Sequence, residues 1–336
     1  MKFIQTSVFL ALLSLVAPSM AEEKKQEPAK KEQAAKTAPK ASEPEAAPKK
    51  QETPSKKKEA KKKETDKKPP TKKKEESPAK KPPSKPKPIA IFEDKNLEQA
   101  VRKQVFDKRD NKTPLYANDV QHVSAIMGKG MEIKSLKGLE YCRELASLEL
   151  PGNAITDIAP LKGLARLQLI DLSGNQITDT SPLKDLGVLQ YINLENNQLT
   201  DITPLGDIKS LRSLYLTGNR LTDITPLAKL TKLWSLYLGD NRLTDIAPLK
   251  SIPHIDILDI RNNKLTDIAP IAGHKSFRML FLQGNQLKNL GPLLDTVKKD
   301  AAGKREFSTF LRVWTKGNPL PKGQITELKK HIKEVQ

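Results

Sequence analysis

An asparagine recurs at positions 153, 175, 197, 219, 241, 263 and 285, each 22 residues after the last. Around each of them the chain follows, with small variations, L-x-x-L-x-L-x-x-N-x-L-T-D-I-x-P-L-x-x-L; "LRSLYLTGNRLTDITPLAKL" (211–230) is one copy. A unit this short cannot bury its own apolar face, so neighbouring units must stack and share one core. The L-x-L step alternates with period two, which makes a short strand with both leucines on one side. The asparagine follows where the chain leaves the strand, and its amide can serve backbone groups otherwise orphaned inside the coil. The Thr-Asp pair and the proline three residues after Asp suit a short helical turn: Asp caps it, and Pro tolerates a first-turn position that needs no amide donor.

This pattern is the leucine-rich repeat signature. Its spacing and its T-D-I-x-P-L segment resemble the short-repeat class of internalin-like bacterial proteins, closely so over residues 130–290. The resemblance and the stacking argument predict an α/β solenoid. A curved parallel sheet lines its inner side and short turns, 3₁₀ in type, its outer side. Solenoid ends expose apolar faces and need atypical units. "FEDKNLEQAVRKQVF" places Leu97, Val101 and Val105 at helical spacing behind a capping Asp94, and "NDVQHVSAIM" predicts a second short helix with Val120, Val123 and Ile126 inward. "EIKSLKGLEYC" reads as a degenerate first repeat. "PLLDTVKKDAAGKREF" inserts eleven residues with a helical pattern, "FLRVWTKGNPL" restores the repeat at Asn318, and "KGQITELKKHIKEV" predicts a closing helix with Ile325, Leu328 and Ile332 on one face. The expected divisions are a helical N-terminal cap over 89–130, repeats over 131–290, and an irregular last repeat with a C-terminal cap over 291–336.

The first 88 residues differ in kind. Residues 1–21 carry Lys2, an apolar run and a Ser-Met-Ala ending, the pattern of a cleaved signal peptide. Export to the periplasm, the cell surface or the medium is therefore expected. Residues 22–88 hold 23 Lys against 12 acidic residues, contain twelve prolines and no aromatic residue, and account for +11 of the net charge of +19. Such a segment cannot bury enough apolar surface to offset its conformational entropy, so a disordered arm is expected. It reads as a spacer, or as a polycation that meets an anionic envelope polymer or a membrane surface. Nucleic acid is disfavoured by export and by the lack of aromatic residues on which bases could stack.

No catalytic or metal constellation emerges, and no cofactor is implied. The four histidines (122, 254, 274 and 331) share no ligand spacing, and the lone Cys142 occupies a core column together with Leu164, Leu186 and Ile208. His274 falls in the same column and reads as a core histidine. The recurring aspartates sit one per coil at capping positions. The reading is a non-catalytic protein.

The candidate site is the concave face. Counting from the first leucine of L-x-x-L-x-L, positions 3, 5 and 7 point outward from the strand. Position 5 reads Glu149, Asp171, Asn193, Tyr215, Tyr237, Asp259, Phe281 and Trp314. Position 3 adds Tyr191, Ile257 and Met279, and Trp234 lies at position 2, near the rim. The early coils are acidic here, and the later ones carry an apolar stripe in a chain with only 4% aromatics. Exposed stripes of this kind mark protein interfaces; the alternative is a ladder of aromatics that merely pack on one another. The expected ligand surface comprises Tyr191, Tyr215, Trp234, Tyr237, Ile257, Asp259, Met279, Phe281 and Trp314. The expected partner is a protein, a peptide or a glycan; the other reading is an envelope structural protein that binds through its arm. The oligomeric state is not legible.

Overall fold

The structure, a computed structural model, describes residues 90–336. The signal peptide and lysine-rich arm expected over 1–21 and 22–88 lie outside the described residues. Ten parallel strands form one open, curved sheet in strict chain order. They are β1 (Ala125–Met127), β2 (Ser147–Glu149), β3 (Leu169–Asp171), β4 (Tyr191–Asn193), β5 (Ser213–Tyr215), β6 (Ser235–Tyr237), β7 (Ile257–Asp259), β8 (Met279–Phe281), β9 (Arg312–Trp314) and β10 (Glu334–Val335). From β1 to β8 the register advances by one repeat per coil, as in Leu214↔Leu236↔Leu258.

Each coil closes in the way its residues demand. The inward leucines Leu233, Leu236 and Leu238 are fully buried, as are their counterparts in neighbouring coils. Burial of each is worth about 1.5–3 kcal/mol. The aspartates accept the backbone N–H two residues on, for example Ala247 N to Asp245 Oδ1 at 2.7 Å. The prolines sit in the first turn of the 3₁₀ segments that follow, such as Thr225–Lys229. Inside, each asparagine joins two coils. Asn219 Oδ1 accepts the Leu199 amide at 3.0 Å, and its Nδ2 donates to the carbonyls of Leu194 and Leu216, both at 2.9 Å. The same three contacts recur at Asn175, Asn197, Asn241, Asn263 and Asn285.

At the N-terminal end α1 (Lys95–Arg102) buries Leu97, Ala100 and Val101. Asp94 caps it: Oδ1 accepts from Asn96 and Leu97, and Oδ2 accepts the amides of Lys134 and Ser135, which ties the helix to the first coil. The second expected helix is only one turn, α2 (Ala117–Val120). Val123 follows it, and Ile126 lies on β1, so the sheet starts within the segment read as a helical cap. Pairing with β2 along Ile126↔Leu148 overrides the helical spacing of Val120, Val123 and Ile126.

At the other end the convex turns become helical: α3 (Ala269–Ala272), then α4 (Gly291–Ala302), which is the insertion. Across that insertion the core position shifts by one residue. Phe307 and Leu311 are buried, whereas Phe310, which stands first in the restored motif, is 58% exposed. The closing helix α5 (Lys322–Lys329) is shorter than its pattern suggests. Ile332 and Val335 still pack inward, but Val335 does so from β10, opposite Val313. Two buried oddities of the sequence are structural. Burial pushes the Cys142 thiol up to about 12, with the Glu140 charge adding to it. His274 puts Nε2 2.7 Å from the Ile252 carbonyl and Nδ1 3.2 Å from that of Ile271, and stacks on Phe277.

Candidate functional site: the concave face

The strand register sets the site. Parallel, in-register strands bring equivalent outward residues of adjacent coils about 4.8 Å apart, so each row becomes a continuous ladder. Tyr215 and Tyr237 are direct partners across β5 and β6 and stack with ring centroids 4.4 Å apart at 11°. Tyr191 leans on Tyr215 from the next row at 5.2 Å and 40°. Phe281 and Trp314 form a second stack at 4.3 Å and 15°. Asp259 separates the two stacks, and Ile257 and Met279 flank it as half-buried neighbours.

The exposed aromatic stripe is therefore only partly realised. Tyr215 and Tyr237 face the concave side but are only 8% and 9% exposed, because each ring covers the other. Burial raises both phenols, that of Tyr237 to about 12, with the charges of Asp259 and Glu195 acting in the same direction. Tyr191, Phe281 and Trp314 keep more open surface. Trp234 does not join them. It precedes β6, its backbone pairs with Arg212 and Asp256, and its ring is 54% exposed outside either stack. Its row neighbours Asp256 and Arg278 form an ion pair.

Charge divides the face. Asp259 is nearly fully buried, and desolvation raises its carboxyl against the opposing pull of Arg261, whose backbone N–H and Nε both approach it, Nε at 3.3 Å. Gly239 makes room for this pair: a Cβ there would lie 3.0 Å from Arg261 Cγ and 3.2 Å from Asp259 Oδ1. Toward the N-terminus Glu149, Asp171 and Glu195 stand around Tyr191, whose phenol is raised by burial and then by the charges of Asp171 and Glu195. Met127 is 57% exposed at the outer end of this acidic part. Sequence reasoning left Glu195, Arg261 and Met127 out of the site. The two-residue spacing of Asp259 and Arg261, beside the one glycine at position 7, was the available signal for the pair.

Among the described residues no group of three or more His, Cys, Asp or Glu side chains is placed to hold a metal, and no helix is long and apolar enough to cross a membrane.

A family model of leucine-rich repeats (two copies) matches residues 143–185, 188–229 and 231–273. Internalin C2 of Listeria monocytogenes is 31% identical over 62% of this chain and 94% of its own, with a TM-score of 0.58. A leucine-rich repeat protein of Leptospira interrogans, 22% identical over 58% of this chain and 56% of its own with a TM-score of 0.51, has the same fold. No curated protein matches in sequence. The chain belongs to the internalin-like leucine-rich repeat family. Proteins with these repeats are generally protein-interaction modules and typically non-enzymatic.

Proposed function

We propose that this is an exported, non-catalytic binding protein that holds a protein or peptide partner on the concave face of its repeats. The observation that carries the reading is the concave face itself: ten short strands present two aromatic stacks around the buried Asp259 and its partly exposed partner Arg261, with Tyr191, Phe281 and Trp314 partly open. Rigid rings at the centre of a concave surface are efficient anchors, since they bring large area at little entropic cost. Export rests on the signal-like residues 1–21, and a bacterial surface or secreted setting agrees with the internalin relatives.

The test is partner capture from envelope and host extracts by the full chain, by a Tyr191→Ala/Phe281→Ala variant and by a chain lacking 22–88. Loss of the same partner in the double variant, with its thermal midpoint kept, supports the concave reading. Capture that survives the double variant but disappears with the arm, and is released by salt, sinks it. That outcome would favour the arm as a binder of anionic polymer or membrane surface, the reading that its 23 lysines motivate.

A further inference from the structure

The two flanks of the stack differ in charge. The entry segments, seven residues leading into each strand from 140–146 to 272–278, hold eleven Lys and Arg against five acids over seven coils. The exit segments of the same coils, from 151–160 to 283–292, hold eight acids against five Lys and Arg. A backbone ladder keeps the entry side in line. Arg212 N donates to the Gln190 carbonyl at 2.9 Å, Trp234 N to that of Arg212 and Asp256 N to that of Trp234, both at 2.8 Å. Along this flank Lys209, Arg212, Lys232 and Lys275 are exposed and meet no carboxylate within ion-pair distance among the described residues. Of the five acids, Glu144, Asp207 and Asp256 are already paired with Arg166, with Lys184 and Lys229, and with Arg278.

A second observation lies on the same flank. Val188, Trp234 and Phe310 stand open to solvent there, 44%, 54% and 58% exposed. They precede β4, β6 and β9. At a coil spacing of about 4.8 Å they stand singly, roughly 10 and 14 Å apart. Trp234 has Lys232 two residues before it and Arg212 beside it one coil back. Neither Trp234 nor Phe310 joins an aromatic stack. A protein partner draws its affinity from a contiguous apolar centre sealed from water. Isolated apolar side chains set among Lys and Arg suit a bilayer surface instead, where aromatic rings settle at headgroup level and cations meet anionic lipid. Curvature of the stack withdraws the concave face from a flat target but leaves a flank free to lie along one.

We infer that the strand-entry flank, from Val188 to Phe310 and centred on Trp234, is a peripheral docking surface for an anionic lipid bilayer. The Trp234 and Phe310 rings enter the headgroup region, and Lys209, Arg212, Lys232 and Lys275 meet lipid phosphates. The concave face stays open to its own partner, so the inference stands apart from the concave reading and from the lysine-rich arm.

The experiment uses two single-tryptophan full chains: Trp314→Phe, which leaves Trp234, and Trp234→Phe, which leaves Trp314 on the concave face. Each is titrated with vesicles of phosphatidylglycerol and phosphatidylcholine, with vesicles of phosphatidylcholine alone, and with dextran sulfate. The lysine-rich arm is common to both chains and cancels in the comparison. With anionic vesicles the Trp234 emission is expected to shift to the blue and to be quenched by brominated lipid, while that of Trp314 stays unchanged. Phosphatidylcholine alone should do neither. Adding Arg212→Gln/Lys232→Gln to the first chain should raise the lipid concentration at half-quenching at least about tenfold. Trp234 emission that anionic vesicles leave unaltered, whether or not the arm carries the chain down with them, overturns the inference. So does equal quenching of both tryptophans, or a half-quenching concentration indifferent to the two Gln substitutions. A shift with dextran sulfate but no quenching by brominated lipid assigns the flank to a soluble polyanion and overturns the lipid surface.

Discussion

In "ITDTS" two threonines stand two residues apart with opposite fates. Thr178 is exposed. Thr180 is 1% exposed in a column that elsewhere holds Ile158, Ile202, Ile224, Ile246 and Ile268, and its Oγ1 has no hydrogen-bond partner. It stands at the N-cap of a 3₁₀ turn, yet its side chain makes no capping bond. Thr180→Val exchanges the idle hydroxyl for a methyl of nearly the same volume. The desolvation cost of the hydroxyl, about 1–3 kcal/mol, disappears and a buried apolar contact is gained. The expected stabilisation is about 1–2 kcal/mol, a rise in thermal midpoint of roughly 2–8 °C for a folded region of this size. Thermal unfolding of the full chain followed by far-ultraviolet circular dichroism measures it, with Thr178→Val as the control that should change little. A midpoint that falls in Thr180→Val would mean that the hydroxyl serves a backbone group, and the idle-hydroxyl argument would fail.

Other expectations follow from the coil contacts. Asn219→Ala leaves the buried Leu199 amide without a partner, while the Leu194 and Leu216 carbonyls keep Asn197 and Asn241 as donors; urea unfolding should show a loss of about 1–3 kcal/mol. Gly206→Ala would set a Cβ 2.7 Å from the Pro226 carbonyl oxygen of the next coil, and a drop in midpoint worth about 1–3 kcal/mol is expected. Asp94→Ala should destabilise the N-terminal cap by about 1–2 kcal/mol, with faster proteolysis near residue 95 as the readout. Burial pushes the Asp94 carboxyl up, but four backbone donors outweigh this and hold it below its usual 3.8. Its contribution is therefore complete above the ordinary carboxylate range and is lost as the pH falls through the lower folded value. The wild type and Asp94→Ala should converge in stability only in strong acid.

The repeat was legible because its physics is local and repeated: leucines at period two, an asparagine at each bend, an aspartate before each turn. Helix α4 was legible for the same reason. Reading failed where contacts with other coils decided. Val120, Val123 and Ile126 have helical spacing, yet a waiting edge of β2 draws Ile126 into a strand. Phe310 stands at the motif's first position, but Phe307, brought in by the insertion, and Leu311 take the buried places. On the concave face the rows could be written down from the period alone. What each side chain exposes could not, because that depends on the neighbour one coil away. Tyr215 and Tyr237 hide each other, and Arg261 covers Asp259 only because Gly239 has no side chain. Trp234 was drawn into the aromatic group by its place beside Tyr237, although it sits before the strand.

The asparagine ladder runs one way. Each Asn side chain accepts an amide of the coil before it and donates to a carbonyl of that same coil, as Asn175 does for Ile155 and Leu150. Through this side chain a coil leans on its successor, while its backbone also leans on its predecessor, as Gln168 and Leu169 donate to the Ala146 carbonyl and Gln176 to that of Ile155. Loss of a coil at either end strands backbone amides, Gln168, Leu169 and Gln176 on one side and Leu150 and Gly152 on the other, and only loss at the C-terminal side also strands an amide that an asparagine served, as Asn175 serves Ile155. The last asparagine-bearing coil is built differently at this point. The Leu320 amide, which holds the place that Ile155 holds after Asn153, has no later asparagine to meet and turns back 2.8 Å to the Asn318 carbonyl. The two edges of the stack therefore differ in chemistry: the amino-side edge offers asparagine side chains that have lost their outer partners, and the carboxyl-side edge offers an interior amide that a following asparagine would have met.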